Sequence, residues 1–375
     1  MKTRAAILRK TGLPQPFSQS KPLDVVEVDL APPGRDELLV KVAAAGICHS
    51  DLSIITGDRP RATPIVLGHE AAGIVEQVGE GVDDLQPGDH VVLLFVPSCG
   101  RCMACAEGHP VQCAAAAASN QAAALLTGAR RLSENGQSIG HLSGLAAFAE
   151  HAVVARQGVL KIDKRIPLDV AALFGCAVMT GVGTVINAAK VQPGESVAVV
   201  GLGGVGLSAV LGALAAGAAQ VVAIDISDEK LATARRFGAT HAVNAAAPDA
   251  MEQVRALTQG GVHHALEMVG AMAGLDVAFR VTRKGGTTVT VGLPKVSDQM
   301  FSFPASLMVA EERTLKGSYM GSCIPRRDVA RYLALYEAGR LPVEQLISRT
   351  IKLDEINEGF DRLARGEVIR QIIRM

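Results

Sequence analysis

Val197-Ala198-Val199-Val200-Gly201-Leu202-Gly203-Gly204-Val205-Gly206 is the stretch on which the fold is decided. Four apolar residues make a buried strand. Gly201, Gly203 and Gly206 then spell G-x-G-x-x-G, and an Ala/Leu-rich helix runs on to about Ala216. In such a turn the first glycine permits the tight bend and the second lets the backbone approach a pyrophosphate. The third lets the helix pack closely on the strand. The helix start, with Gly204 and Val205, offers unpaired N–H groups and a favourable dipole to phosphate oxygens. The glycine pattern alone is weak in a chain with 39 glycines. Its strand–turn–helix setting makes it specific, as does the acid that follows. Val221-Val222-Ala223-Ile224 is a second strand ending on Asp225, which can accept hydrogen bonds from both ribose hydroxyls and would repel a 2′-phosphate. NAD is therefore expected over NADP. Lys230, one helical turn on, is read either as part of the ribose site or as a solvated helix charge.

The same alternation of short apolar strands with helix-length segments continues downstream, as in a parallel sheet. Ser227 reads as a helix N-cap and Gly238 as a stop. Further strands are expected near Ala242-Val243, at Ala265-Leu266-Glu267-Met268-Val269 and at Thr287–Val291, making most of a six-stranded sheet. Upstream the chain is β-rich and irregular. Strands are expected at Leu38–Val42, Ala71–Val78 and His90–Phe95, punctuated by Pro32-Pro33-Gly34, Gly79-Glu80-Gly81 and Gln86-Pro87-Gly88-Asp89. The Ala-rich run from Ala114 to Ala124 reads as a short helix or a loop. The tail from about Tyr319 carries two amphipathic stretches and a last strand, Val368 to Ile373.

At 375 residues the chain is long enough for two domains, each with its own core. Aromatic residues are only 3%, with no Trp, so Ala, Val, Leu and Ile must do most of the packing. Lys+Arg and Asp+Glu are both 37, which gives no basic footprint for nucleic acid or an anionic membrane. The N-terminal residues lack a signal peptide's apolar core, and no apolar run is long enough to span a bilayer. A soluble cytoplasmic protein is expected, where thiols stay reduced.

Cys99, Cys102, Cys105 and Cys113 fall in one loop with the spacing C-x2-C-x2-C-x7-C. Four thiolates converging tetrahedrally suit Zn²⁺, and a closed four-sulfur site is structural. Of the other three cysteines, Cys48 and Cys176 can join His69 as ligands to a second zinc with one open place, the form a catalytic site needs. Spacing cannot establish this. Taken singly, Cys48 or Cys176 is more often a small buried residue, and His69 a satisfied core histidine. Cys323 is expected to be a partly buried thiol, and His263-His264 structural.

Gly46-Ile47-Cys48-His49-Ser50-Asp51, Gly68-His69-Glu70, the four-cysteine loop, the glycine turn and Asp225 occur in the order found in zinc-dependent medium-chain alcohol dehydrogenases. The chain resembles that family over essentially its full length, most closely its long-loop, class I-like and class III-like branches. The resemblance implies an α/β architecture: a GroES-like β-rich catalytic domain (1–177 and 319–375) and a Rossmann doubly wound parallel-sheet domain (178–318). It implies two Zn²⁺ per chain, catalytic on Cys48, His69 and Cys176 and structural on the four-cysteine loop, with NAD as cofactor. Glu70 would be a nearby carboxylate able to ligate transiently, Ser50 would bond the substrate hydroxyl, and Asp51 would orient His69. His49 and Arg370 would meet the pyrophosphate, while Thr180, Val291 and Leu293 border the nicotinamide.

The reaction implied is interconversion of primary alcohols and aldehydes by hydride transfer to NAD⁺. Many relatives continue the proton relay with a His where this chain has Ser53. Phe95, Ala118, Leu142 and Ser143 would line a wide substrate pocket suited to aromatic or medium-length alcohols. Relatives acting on the glutathione adduct of formaldehyde carry acids near the pocket mouth, whereas this chain has Asp58-Arg59-Pro60-Arg61 there. A formaldehyde-related dehydrogenase, a dismutase with tightly held NAD, and a non-enzymatic zinc- and NAD-binding protein are the alternatives. The partners implied are a small alcohol or aldehyde and further copies of the chain, as a homodimer or homotetramer.

Overall fold

The computed structural model describes residues 1–295 and 299–375. It divides into two compact units: Met1–Cys176 with Ile324–Ala330 and Ile347–Met375, and Ala177–Cys323 with Arg331–Leu346. One boundary thus falls inside the helix Pro325–Glu337.

In the second unit six strands pair in parallel, in the order His241–Asn244, Gln220–Asp225, Ser196–Val200, Val262–Glu267, Thr282–Thr290, Thr314–Gly317. Counted along the chain this order is 3-2-1-4-5-6, which reverses direction beside the glycine turn. Every residue of Ser196–Val200 is buried, as expected of a central parallel strand covered on both faces. The helix Gly204–Ala215 follows it. Gly201 has φ +94°, and a Cβ on Gly206 would lie 1.8 Å from the Gly201 carbonyl oxygen, so both positions require glycine. Ser227 caps the next helix by accepting from the Lys230 N–H. The strand expected to reach Val269 ends instead at Glu267, because the Glu267 carboxylate draws the Val269 and Gly270 N–H groups back onto itself at 2.6 Å each.

The first unit holds a closed five-stranded barrel and a seven-stranded sheet. Strand Glu37–Ile47 is the hub of that sheet and pairs antiparallel with Ala71–Val78, His151–Ala155 and Arg370–Arg374. Aliphatic residues dominate the core, with Phe17, Phe148 and Phe360 fully buried among them. The Ala-rich run is a helix, Ala114–Gln121. Among the described residues no helix is long and apolar enough to cross a membrane.

His141 ties two barrel strands together. It is fully buried, and its Nε2 accepts from the backbone N–H groups of Arg131 at 3.0 Å and Leu132 at 3.3 Å. An accepting nitrogen must stay unprotonated, and burial pushes the imidazole down to about 4. The folded value lies below that of an unfolded histidine. The stabilisation is therefore whole above about pH 6.5 and disappears as pH falls toward 4, by up to about 3 kcal/mol. The gap in urea midpoint between wild type and His141→Gln should accordingly shrink from pH 7.5 to pH 5. A gap independent of pH would contradict this role.

Candidate active site and metal centres

Three separate stretches converge at the end of the hub strand. Cys48 directly follows Glu37–Ile47 and precedes the helix His49–Ile55, while His69 leads into Ala71–Val78. Cys176 comes in after the helix Leu168–Leu173. Gly175 makes its approach possible, since a Cβ there would meet the Leu93 carbonyl oxygen at 2.7 Å. Gly68, at φ +89°, plays the same part for His69 against the Phe148 backbone. The ligand atoms of Cys48, His69 and Cys176 all lie within 4.8 Å of one another, and the three residues are buried. Asp51 completes the geometry. Its Oδ1 faces His69 Nδ1 at 3.1 Å and also accepts from the Gly68 N–H, so the ring turns Nε2 toward Cys176 Sγ, 3.5 Å away. A carboxylate behind a metal-binding imidazole fixes its tautomer and orientation.

The charges around this cluster favour a cation. A hydrogen bond from Cys176 drives the Cys48 thiol well down, aided by the charges of Arg370 and His69, and the Cys176 thiol, facing that anion, is pushed up. Burial would lower His69, but Asp51 and Cys48 more than offset it. Burial pushes the Glu70 carboxyl up to about 7 against the pull of Arg370. Among the described residues, neither Glu70 oxygen nor Asp51 Oδ2 has a hydrogen-bond partner. Two buried thiols, an imidazole aimed at them and unsatisfied carboxylate oxygens nearby fit a zinc ion, which replaces thiol protons and balances the buried negative charge.

The four-cysteine loop forms a second cluster. The sulfurs of Cys99, Cys102, Cys105 and Cys113 all lie within 4.8 Å of one another. Backbone N–H groups of Cys105 and Ala114 lower the Cys102 thiol to about 6, while Cys105 is pushed up to about 12 by burial and its thiol neighbours. Four sulfurs with no other ligand type suit a closed zinc site.

In the second unit the glycine turn has the shape its sequence predicts. A Cβ on Gly203 would meet no atom of the described residues within 4 Å, unlike one on Gly201 or Gly206, so space is open beside that backbone. Asp225 Oδ2 accepts from the Leu202 N–H at 2.8 Å and Oδ1 from the Ser227 N–H, which fixes the carboxylate at the carboxyl end of its strand. Ile226, Val269 and Leu293, each just beyond a strand end, are 75%, 53% and 53% exposed. An apolar rim on the carboxyl edge of a parallel sheet is where a dinucleotide lies. Lys230 is half-buried and Thr180 lies in the helix Ala177–Gly183.

The remaining expected residues are placed as follows. His49 and Ser50 are exposed on the first turn of His49–Ile55, and the Ser53 hydroxyl donates to the His49 carbonyl at 2.9 Å. Phe95 sets its ring edge against His69, centroids 5.1 Å apart. Leu142 and Ser143 are buried, whereas Ala118 is exposed on the Ala-rich helix. Arg370, expected at a pyrophosphate, is buried beside Glu70 Oε2 at 3.6 Å and donates to the Ile47 carbonyl. Cys323 is fully rather than partly buried: a Cβ on Gly183 would lie 2.4 Å from its sulfur, which also meets the Met179 and Gly321 carbonyl oxygens. His263 and His264 bond Ser196 and Glu195 and are structural. Sequence reasoning missed the Glu70–Arg370 pair and the fold-positioning role of Gly175. Only a charged residue inside the apolar terminal strand hinted at the first.

A buried centre of two thiols and one imidazole, in a chain that also has a dinucleotide fold, defines a zinc-dependent dehydrogenase. The model of the alcohol dehydrogenase GroES-like domain matches residues 34–164, and that of the zinc-binding dehydrogenase matches residues 204–338. Alcohol dehydrogenase B of Mycobacterium tuberculosis is 37% identical over 380 residues, covering 100% of this chain and 98% of the relative. S-(hydroxymethyl)glutathione dehydrogenase of Escherichia coli is 38% identical over 378 residues, covering 100% of both. The crystal structure of benzyl alcohol dehydrogenase from Acinetobacter calcoaceticus superposes with a TM-score of 0.93 at 32% identity, covering 100% of this chain and 99% of that one. The chain belongs to the zinc-dependent medium-chain alcohol dehydrogenase family, with zinc and NAD as its cofactors.

Elemental analysis of the purified chain should find two zinc ions. Cys176→Ser should retain one and lose alcohol oxidation with little change in thermal midpoint, whereas Cys105→Ser should lose the other and lower the midpoint. A wild-type chain holding a single zinc would contradict the two-centre account.

Proposed function

We propose that this chain interconverts primary alcohols, aromatic or of medium length, with their aldehydes, using NAD⁺ as hydride acceptor. The Cys48–His69–Cys176 cluster carries this reading: among the described residues it offers three ligands, so a bound zinc keeps a fourth place for a substrate oxygen. When bound, zinc supplies Lewis acidity and the nicotinamide supplies the hydride acceptor. Asp51 holds the His69 ring in place, and Cys48 and Cys176 contribute the negative charge that retains the ion. Arg370 partly balances Glu70, neither of whose carboxylate oxygens has a hydrogen-bond partner among the described residues.

The alcohol gives up its hydroxyl proton and a hydride from carbon, yielding aldehyde, NADH and a proton. Ser50, on the exposed first turn after Cys48, would accept that proton's hydrogen bond. Ser53 is committed as a donor to the His49 carbonyl, so onward transfer would fall to His49 and water. His49 and Arg370 would serve the pyrophosphate. Gly201, Gly203, Gly204, Val205, Gly206, Asp225 and Lys230 would hold the adenosine half, and Thr180, Val291 and Leu293 the nicotinamide.

Phe95, edge-on to His69, gives the pocket an aromatic wall, which supports benzylic substrates and agrees with the activity named for the Acinetobacter relative. Arg59 and Arg61, where acids would be expected for a glutathione adduct, weigh against the activity named for the Escherichia coli relative. The proposed assembly is a homodimer or a tetramer. Among the described residues the strand Thr314–Gly317 ends its sheet with one strand neighbour, and Met300 and Val309 are 87% and 82% exposed. A cytoplasmic location suits its reduced thiols.

In an alcohol panel followed by NADH formation, kcat/KM for benzyl alcohol and hexanol should exceed those for ethanol and S-(hydroxymethyl)glutathione. Ethanol leading the series would remove the wide-pocket reading. The glutathione adduct leading it would replace the substrate class.

A further inference from the structure

We propose that Cys102 and Cys105 form a peroxide-sensitive pair. Their oxidation to a disulfide empties the four-cysteine zinc site and loosens its loop, while the Cys48–His69–Cys176 centre stays intact. The two centres differ in how far solvent reaches their cysteines. Cys48 and Cys176 are 5% and 6% exposed, and Cys113 only 1%. Cys99, Cys102 and Cys105 are all partly exposed. A cavity of 280 Å³, lined by Cys99 and Arg101 with Leu126, Thr127 and Gln157, brings solvent to the same cluster from beside Cys99. Oxidation of cysteine follows thiolate character and access, and a bound metal keeps its thiolates deprotonated.

Within the cluster one pair is set apart. Cys102 Sγ and Cys105 Sγ lie 3.5 Å apart, so they need to close by about 1.5 Å to reach a disulfide bond length. Cys102 directly precedes the one-turn helix Met103–Ala106, and Cys105 lies within it. No residue of that helix is buried, and among the residues from Cys99 to Gln112 only Pro110 is. The turn therefore has room to tighten. A loop with so little apolar burial also depends on its metal for order. Cys113 is the opposite case, since its buried sulfur accepts from the Cys99 N–H at 3.3 Å.

The oxidant is a peroxide, and the electrons balance in two steps. Cys102 Sγ attacks one peroxide oxygen: an S–O bond forms, the O–O bond breaks and hydroxide leaves. Cys105 Sγ then attacks Cys102 Sγ: the S–S bond forms, the S–O bond breaks and a second hydroxide leaves. The two sulfurs give up two electrons, and hydrogen peroxide takes them up as two hydroxide ions. Cys99 and Cys113 remain, too few thiolates to hold a closed four-sulfur site, and the loop between them opens.

The reduced, zinc-loaded chain should be treated with hydrogen peroxide while a chromogenic chelator follows zinc release and mass spectrometry maps the cysteines. One zinc per chain should leave at least about tenfold faster than the other, because access sets the rate of oxidation. That first release should coincide with a Cys102–Cys105 disulfide and with Cys48 and Cys176 still free. Hydrogen exchange should quicken in the loop from Cys99 to Cys113 and not elsewhere. Cys176→Ser, which keeps only the four-cysteine zinc, should lose it to peroxide at the wild-type rate. A phosphine reductant with added zinc should refill the site. Earlier loss of the Cys48–His69–Cys176 zinc would overturn the assignment, as would a disulfide between other cysteines. Sulfinic or sulfonic acid in place of a disulfide would overturn it too, as would oxidation of the exposed Met103 alone. If Cys176→Ser does not fold, the order of release and the disulfide map of the wild-type chain decide.

Discussion

Burying two thiols and an imidazole against one another, with carboxylates close behind, is unfavourable unless a cation joins them. Everything else in the first unit can be read as the means of holding that arrangement. The hub strand delivers Cys48, and a glycine at positive φ lets the chain turn before His69. Gly175 lets Cys176 come in against the Leu93 carbonyl. Asp51 fixes the ring, and Arg370 limits the charge that Glu70 adds. The buried negative charge is tolerable because zinc supplies the balance.

The second unit solves a different problem with backbone alone. A pyrophosphate must approach a helix N-terminus closely, and an apolar ring must rest on a defined surface. The glycine turn meets the first need through steric necessity at Gly201 and Gly206 and open space at Gly203. At the same sheet edge, two strand-end loops touch backbone to backbone and share one buried acid, Glu267.

Much of this was legible from residue order. The parallel sheet followed from apolar runs at regular spacing, and the glycine turn from a local pattern that needs no partner. The four-cysteine loop was equally local. The ligand set of the other centre was not, since Cys48, His69 and Cys176 are distant in sequence and only family resemblance joined them. Pairings such as Glu70 with Arg370 left no trace beyond a charge in an apolar strand. The early end of the strand at Glu267 was hidden for a related reason: strand propensity extends through Met268 and Val269, and a side-chain acceptor overrides it. His141 gave no sign at all, because a histidine that bridges backbone groups looks like any other.

The account stands on a metal held by three residues from distant segments. Diffraction from crystals of the NADH complex, recorded on both sides of the zinc absorption edge, tests this most directly. The account predicts two anomalous peaks per chain, one enclosed by the four sulfurs and one bonded to Cys48 Sγ, His69 Nε2 and Cys176 Sγ with a fourth place filled by solvent or substrate. A single peak in the four-cysteine loop, with the other three residues apart, would contradict it.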